Sequence, residues 1–126
     1  MSFLPSSDRE YLQSKGFTFH EVVDGRNKGV VFPAFKLPPN KYDVLQADML
    51  ILLPSGYPDV PPDMFYLQPW AKLTAHSRYP KAADHAFNFN GLSWQRWSRH
   101  NNEWRRGVDG IWTMLKRVEH ALEVAA

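Results

Sequence analysis

The sequence predicts an α+β fold: an N-terminal helix, a four-stranded antiparallel meander sheet, a long irregular segment and a C-terminal helix. Three observations carry this. Apolar residues come in four short runs of strand length in the first half of the chain. All ten prolines lie between residues 5 and 80, where they separate those runs. Near the end, Val108, Ile111, Trp112, Leu115, Val118 and Leu122 recur at helical spacing.

The first helix has readable ends. Ser7 and Glu10 have the spacing of a capping box, and Gly16 is placed to end the helix in a left-handed conformation. Phe17–Val23 follows as a half-buried strand, and Asp24–Gly29 as a turn that uses both of its glycines. Val30–Leu37 is the second strand, with Pro33 marking an edge or a bulge. Asp48–Leu53 is the third and most apolar strand, and Met64–Leu67 is a short fourth. Pro69 to Asn90 shows no sustained periodicity and reads as a long tethered loop; a structureless loop this long in a compact domain is either functional or wrongly assigned. Residues 108–124 form the amphipathic C-terminal helix. Phe19, Val31, Ile51, Phe65, Ile111 and Leu115 are expected in one core between sheet and helices.

Composition narrows the function classes. The 126 residues are 44% hydrophobic and 22% charged, as in a soluble globular protein, and fit one domain spanning residues 1–126. Zero cysteines exclude disulfides, cysteine zinc sites and a cysteine nucleophile. The longest apolar run, Met49–Leu53, is far too short to span a membrane. The opening residues lack the pattern of a signal peptide, so a cytoplasmic protein is expected. Net charge is only +2, divided as −2 over residues 1–63 and +4 over 64–126. A bias of this size is ordinary for a solvated surface and names no partner.

The stretch Leu53-Pro-Ser-Gly-Tyr57-Pro58-Asp-Val-Pro61-Pro62 connects the third strand to the fourth. Prolines at 58, 61 and 62 make it stiff and extended, and Tyr57 before proline is free to fold its ring back onto the domain. This wording, in this place, resembles the signature of the ubiquitin-conjugating enzyme fold and its RWD relatives. Gly91-Leu92-Ser93-Trp94, the later Trp104-Arg105-Arg106-Gly107 and the helix with Ile111 and Leu115 are similar to that fold's Gly-x-Ile-Cys-Leu stretch, later tryptophan and following helix. Together with Trp-Gln-Arg-Trp-Ser-Arg-His, the chain looks most like the divergent prokaryotic family E. The resemblance implies an activating-enzyme-like protein and a ubiquitin-like protein as partners.

The departure from the family pattern lies at the chemistry. The position matching the catalytic cysteine is Trp94, whose indole is no nucleophile. The His-Pro-Asn tripeptide is absent, and His85-Ala-Phe-Asn88 is its nearest counterpart. A serine mechanism would use Ser93 with His85 or His100 as base, although no Gly-x-Ser-x-Gly elbow is present. His76, Asp84, His85 and His100 match no metal-ligand spacing, so neither metal nor cofactor is expected. From Trp94 to Arg106, three tryptophans interleave with four arginines and one glutamate. Arg96, Trp97, Arg99, Trp104 and Arg105 are therefore partner-binding candidates, with carboxylates or nucleic-acid phosphates as targets. The plain alternative is that Trp94 and Trp97 anchor a short turn to the core while the arginines face water. Three readings stand at this point: a non-catalytic adaptor, a nucleic-acid-binding module using residues 94–106, and a non-thioester enzyme built on Ser93.

Overall fold

The computed structural model describes residues 2–100 and 103–126. In chain order it has α1 (Ser6–Ser14), β1 (His20–Asp24), β2 (Asn27–Lys36), β3 (Gln46–Leu53), β4 (Phe65–Gln68), β5 (His85–Phe89), β6 (Leu92–Trp97) and α2 (Ile111–Val124). The α+β class and the two terminal helices are as expected. The sheet is larger: six antiparallel strands in the order β1-β2-β3-β4-β6-β5.

The two added strands correct the reading of residues 69–90 as a loop throughout. β5 and β6 form a hairpin closed by Asn90 and Gly91, both with positive φ (50° and 79°). Asn-Gly between two alternating runs is the strongest short hairpin signal a sequence can carry. Trp94 and Trp97 accordingly sit in a strand and do not anchor a turn. The remaining loop is tied down by one buried side chain. The Gln95 amide accepts from the Ala71 N–H (2.9 Å) and donates to the carbonyls of Ala71 (2.9 Å) and Ala83 (2.8 Å).

Several boundaries also move. Ser7 lies inside α1 and makes no capping hydrogen bond; Pro5 holds the N-cap position, with its fixed φ of −54° leading into the first turn. Gly16 does end the helix, its N–H donating to the Gln13 carbonyl (3.1 Å). The β1–β2 turn is the tight Gly25-Arg26 pair, leaving Gly29 inside β2. Pro33 does mark a bulge: register shifts between Phe32 and Phe35, and the Ala34 N–H donates to Asp48 Oδ1 (3.0 Å). Val108 is exposed in the turn before α2 and contributes nothing to its apolar stripe.

Both faces of the sheet are packed. One face joins Val30, Phe32, Met49, Ile51, Phe65 and Trp97 to Leu12 of α1 and to Ile111, Leu115 and Val118 of α2. Phe19 packs partly buried at its margin. The other face gathers Leu50, Tyr66, Phe89 and Trp94, with Val31 beside them, so Val31 belongs to a second core and not to the expected one. The sheet curls around this second cluster. The Asn90 N–H reaches Asp24 Oδ2 (2.8 Å), and a Cβ on Gly29 would stand 3.1 Å from the Phe89 ring and 2.6 Å from Leu50. Glycine at position 29 is what lets the hairpin fold over β2.

Candidate functional site

The polar junction beside the Tyr-Pro motif is built from three distant segments. α1 presents Asp8, whose residue is only 5% exposed. Its Oδ2 accepts the Tyr57 hydroxyl at 2.5 Å, and its Oδ1 accepts the Ile111 N–H at 3.2 Å. Asp8 therefore takes the Ile111 N–H that Gly110, having no side chain, cannot cap, while Thr113 Oγ1 accepts the Gly110 N–H (3.2 Å); a carboxylate there also complements the helix dipole. Burial and the Asp8 hydrogen bond push the Tyr57 phenol far above its ordinary range, so it stays a neutral donor. Gly110 is dictated by this contact, because a Cβ there would stand 2.6 Å from Asp8 Oδ1. The Tyr57 ring lies 6.4 Å from that of Trp104, whose indole N–H donates to the Pro58 carbonyl (2.7 Å). Pro61 and Pro62 carry the chain on into β4. Sequence reasoning missed Asp8, which no local pattern marks.

Beside it, Asp109 receives the Arg105 backbone N–H (2.7 Å), its guanidinium (2.9 Å) and the Thr113 hydroxyl (3.1 Å). The Arg105 side chain above all holds the Asp109 carboxyl down at about 2. Arg105 is thus internally paired, although its side chain stays well exposed.

Trp94, which the resemblance sets against the family's cysteine, is 2% exposed in the second core. Its indole N–H donates to the Phe89 carbonyl (3.1 Å) across the hairpin. This tryptophan is a fully satisfied structural residue. Ser93 is exposed and its carbonyl accepts the Trp70 indole N–H (3.1 Å). The register keeps Ser93 from both histidines. Ser93 pairs with Asn88, while His85 pairs with Arg96, three positions further along β6. Three positions put the two on opposite faces and about 10 Å apart along the strand. His85 instead meets Asp84 (3.0 Å), both largely exposed. His100, beyond the far end of β6, meets Asp63 (3.1 Å). No nucleophile–base pair forms from these residues.

Of the remaining partner-binding candidates, Trp97 is fully buried and stacks on Phe65 at 5.2 Å. Arg99 lies over the Trp97 ring, 5.2 Å from its centroid, and burial pushes its guanidinium down. Arg96 is partly buried on β6, and Arg106 meets Asp59 at 3.5 Å. Asn101 and Asn102 of this segment lie outside the described residues. Among the described residues, no three His, Asp or Glu side chains are grouped to hold a metal, and no helix is long and apolar enough to cross a membrane.

A family model described as prokaryotic E2 family E matches residues 4–125, nearly the whole chain. No curated protein and no solved structure matches.

Proposed function

The chain belongs to prokaryotic E2 family E, and from that membership we propose that it serves a ubiquitin-like conjugation pathway as a non-catalytic adaptor. It holds an activating-enzyme-like or ubiquitin-like partner without bonding to it covalently. One observation supports this reading: Trp94, which the resemblance sets against the catalytic cysteine, is a buried indole bonded to Phe89. A thioester needs a thiolate, and the chain has no cysteine. Ser93 is the nearest hydroxyl, and its register leaves it without a base. What remains is affinity. Arg96, Arg99, Trp104 and Arg105 leave polar atoms and part of an indole accessible along one stretch of chain, a composition suited to carboxylate-bearing protein surfaces.

Nucleic-acid binding is less well supported, because Trp94 and Trp97 are buried and offer bases no face to stack on. The test combines the protein with an activating-enzyme-like protein, a ubiquitin-like protein and ATP, followed by native and denaturing mass spectrometry. The expected result is a complex under native conditions and unmodified protein after denaturation. An adduct that survives thiol reduction and disappears in Ser93→Ala would overturn the non-catalytic reading. Absence of any complex would overturn the adaptor.

A further inference from the structure

Beside the C-terminal half of α2 runs a groove of about 480 Å³, bounded on its other side by the start of β4 and the residues after β6. Its floor is apolar, from Phe65, Val118, Ala121 and Val124. Val124 is 60% exposed, so part of this apolar surface faces solvent. The rim is basic. Lys116, Arg117 and His120 come from α2, and Arg99 and His100 from the opposite wall. The one carboxylate on the lining, Asp63, is already engaged by His100 at 3.1 Å.

α2 sorts its charges to make this rim. Its acids Glu119 and Glu123 line smaller grooves beside Lys36 and Leu37, away from this one. Arg99 is the decisive side chain. It is partly buried over Trp97, its Nη1 donates to the neighbouring Ser98 carbonyl (2.9 Å), and among the described residues no carboxylate pairs with it. A guanidinium that has lost water without gaining a counter-charge gains most when a carboxylate arrives.

We propose that this groove receives an acidic peptide segment of a protein partner. One apolar side chain seats against the exposed Val124, above Phe65 and Ala121, and flanking carboxylates pair with Arg99 and Lys116. The inference rests on the adaptor reading, in which protein affinity is the chain's work, and adds the chemistry that the partner presents. A volume of this size admits one or two side chains. The two rings beneath it, Phe65 and Trp97, are buried and leave no stacking platform, which favours a peptide over a nucleic acid.

The test titrates the full isotope-labelled chain with a short synthetic peptide of glutamates around one leucine. The same peptide with lysines for glutamates and an oligothymidine run in parallel. Expected are amide shifts concentrated on Lys116 to Val124 and on Arg99, with no binding of the lysine peptide. Lys116→Glu and Val124→Asp, both at exposed positions, should each weaken binding by about tenfold while leaving thermal unfolding unchanged. Shifts elsewhere, binding by the two variants as tight as by the unaltered chain, no binding, or tighter oligothymidine binding at the same residues would each overturn the groove assignment. If the peptide fails while the full-length partners still bind, only the groove falls. If neither binds, the adaptor reading falls with it.

Discussion

Two regions of this molecule carry the family's wording, and they have been put to opposite uses. Around Tyr57 the structure is polar and connective: Asp8 joins the Tyr57 hydroxyl to the start of α2, and Trp104 closes on the Pro58 carbonyl. Around Trp94 it is dry. Leu50, Tyr66 and Phe89 surround the indole, and the Tyr66 and Phe87 rings approach to 4.9 Å. The first region ties α1, the proline segment and α2 together, so changing any one of them disturbs the other two. The second region needs only volume and one hydrogen bond. A residue there can belong to the core without disturbing the rest of the fold.

The largest expected effect comes from reversing that second use. Trp94→Ala and Trp94→Cys both leave a cavity beside Leu50 and Phe89, and each should cost about 3–5 kcal/mol in denaturant unfolding. Trp94→Cys should also fail to form a thioester when activating enzyme, ubiquitin-like protein and ATP are supplied, because the sulfur lies inside a core. A thioester on that variant would show that the second region is still a usable site, and the contrast would break.

The first region predicts a coupling. Asp8→Ala orphans the Tyr57 hydroxyl and the Ile111 N–H and should cost about 1–3 kcal/mol. Gly110→Ala in the native background drives a methyl against the same carboxylate. In the Asp8→Ala background that obstacle is gone, so the second substitution should cost much less. A double-mutant cycle with no coupling would mean that Asp8 and Gly110 do not form one unit.

How much of this was legible follows from where the signals are local. The helical stripe of α2, the apolar third strand and the Tyr57–Pro62 connector are each written in neighbouring residues, and each stands where expected but for Val108, which falls before the helix. Val31 went to the wrong core because alternation reports that two faces differ, not which face meets the helices, and here both faces are buried. The β5–β6 hairpin has its signal in Asn90-Gly91, but His85–Phe89 is short and its polar residues, His85 and Asn88, stand three apart and break the strand alternation. Asp8 and Gln95 had no local signal. Their partners lie 103 and 24 residues away along the chain, and only the folded sheet and helices bring them together.

A third test uses acid to compare interior and margin. Glu21 of β1 accepts from the N–H groups of Phe3 and Leu4 and from Arg9, and the Arg9 hydrogen bond above all lowers its carboxyl to about 2 from the usual 4.5. A carboxyl whose folded value is depressed adds stability that is complete above the usual value and is lost as pH falls from 4.5 to about 2. Unfolding midpoints should therefore drop across that window, and Glu21→Gln should flatten the drop. The effect is smaller than those above because Arg9 is partly solvated and the pair is screened. An unchanged slope in Glu21→Gln would assign the acid loss elsewhere, first to Asp109.

The smallest expected effect is at Ser93, the neighbour of the residue with the largest. Ser93 is exposed, its side chain makes no hydrogen bond among the described residues, and its contact with Trp70 runs through the backbone carbonyl. Ser93→Ala preserves that carbonyl and should change stability by less than about 0.5 kcal/mol. It should also leave partner binding unchanged, since a hydroxyl on the face opposite His85 has no base to make it a nucleophile. Adjacent residues on one strand point to opposite faces: Trp94 turns into the second core, while Ser93 lies on the other face at a point where it is exposed. Unfolding curves and native mass spectra of Ser93→Ala beside Trp94→Ala measure that alternation directly. Equal losses from the two substitutions would mean that Ser93 does work its position does not explain.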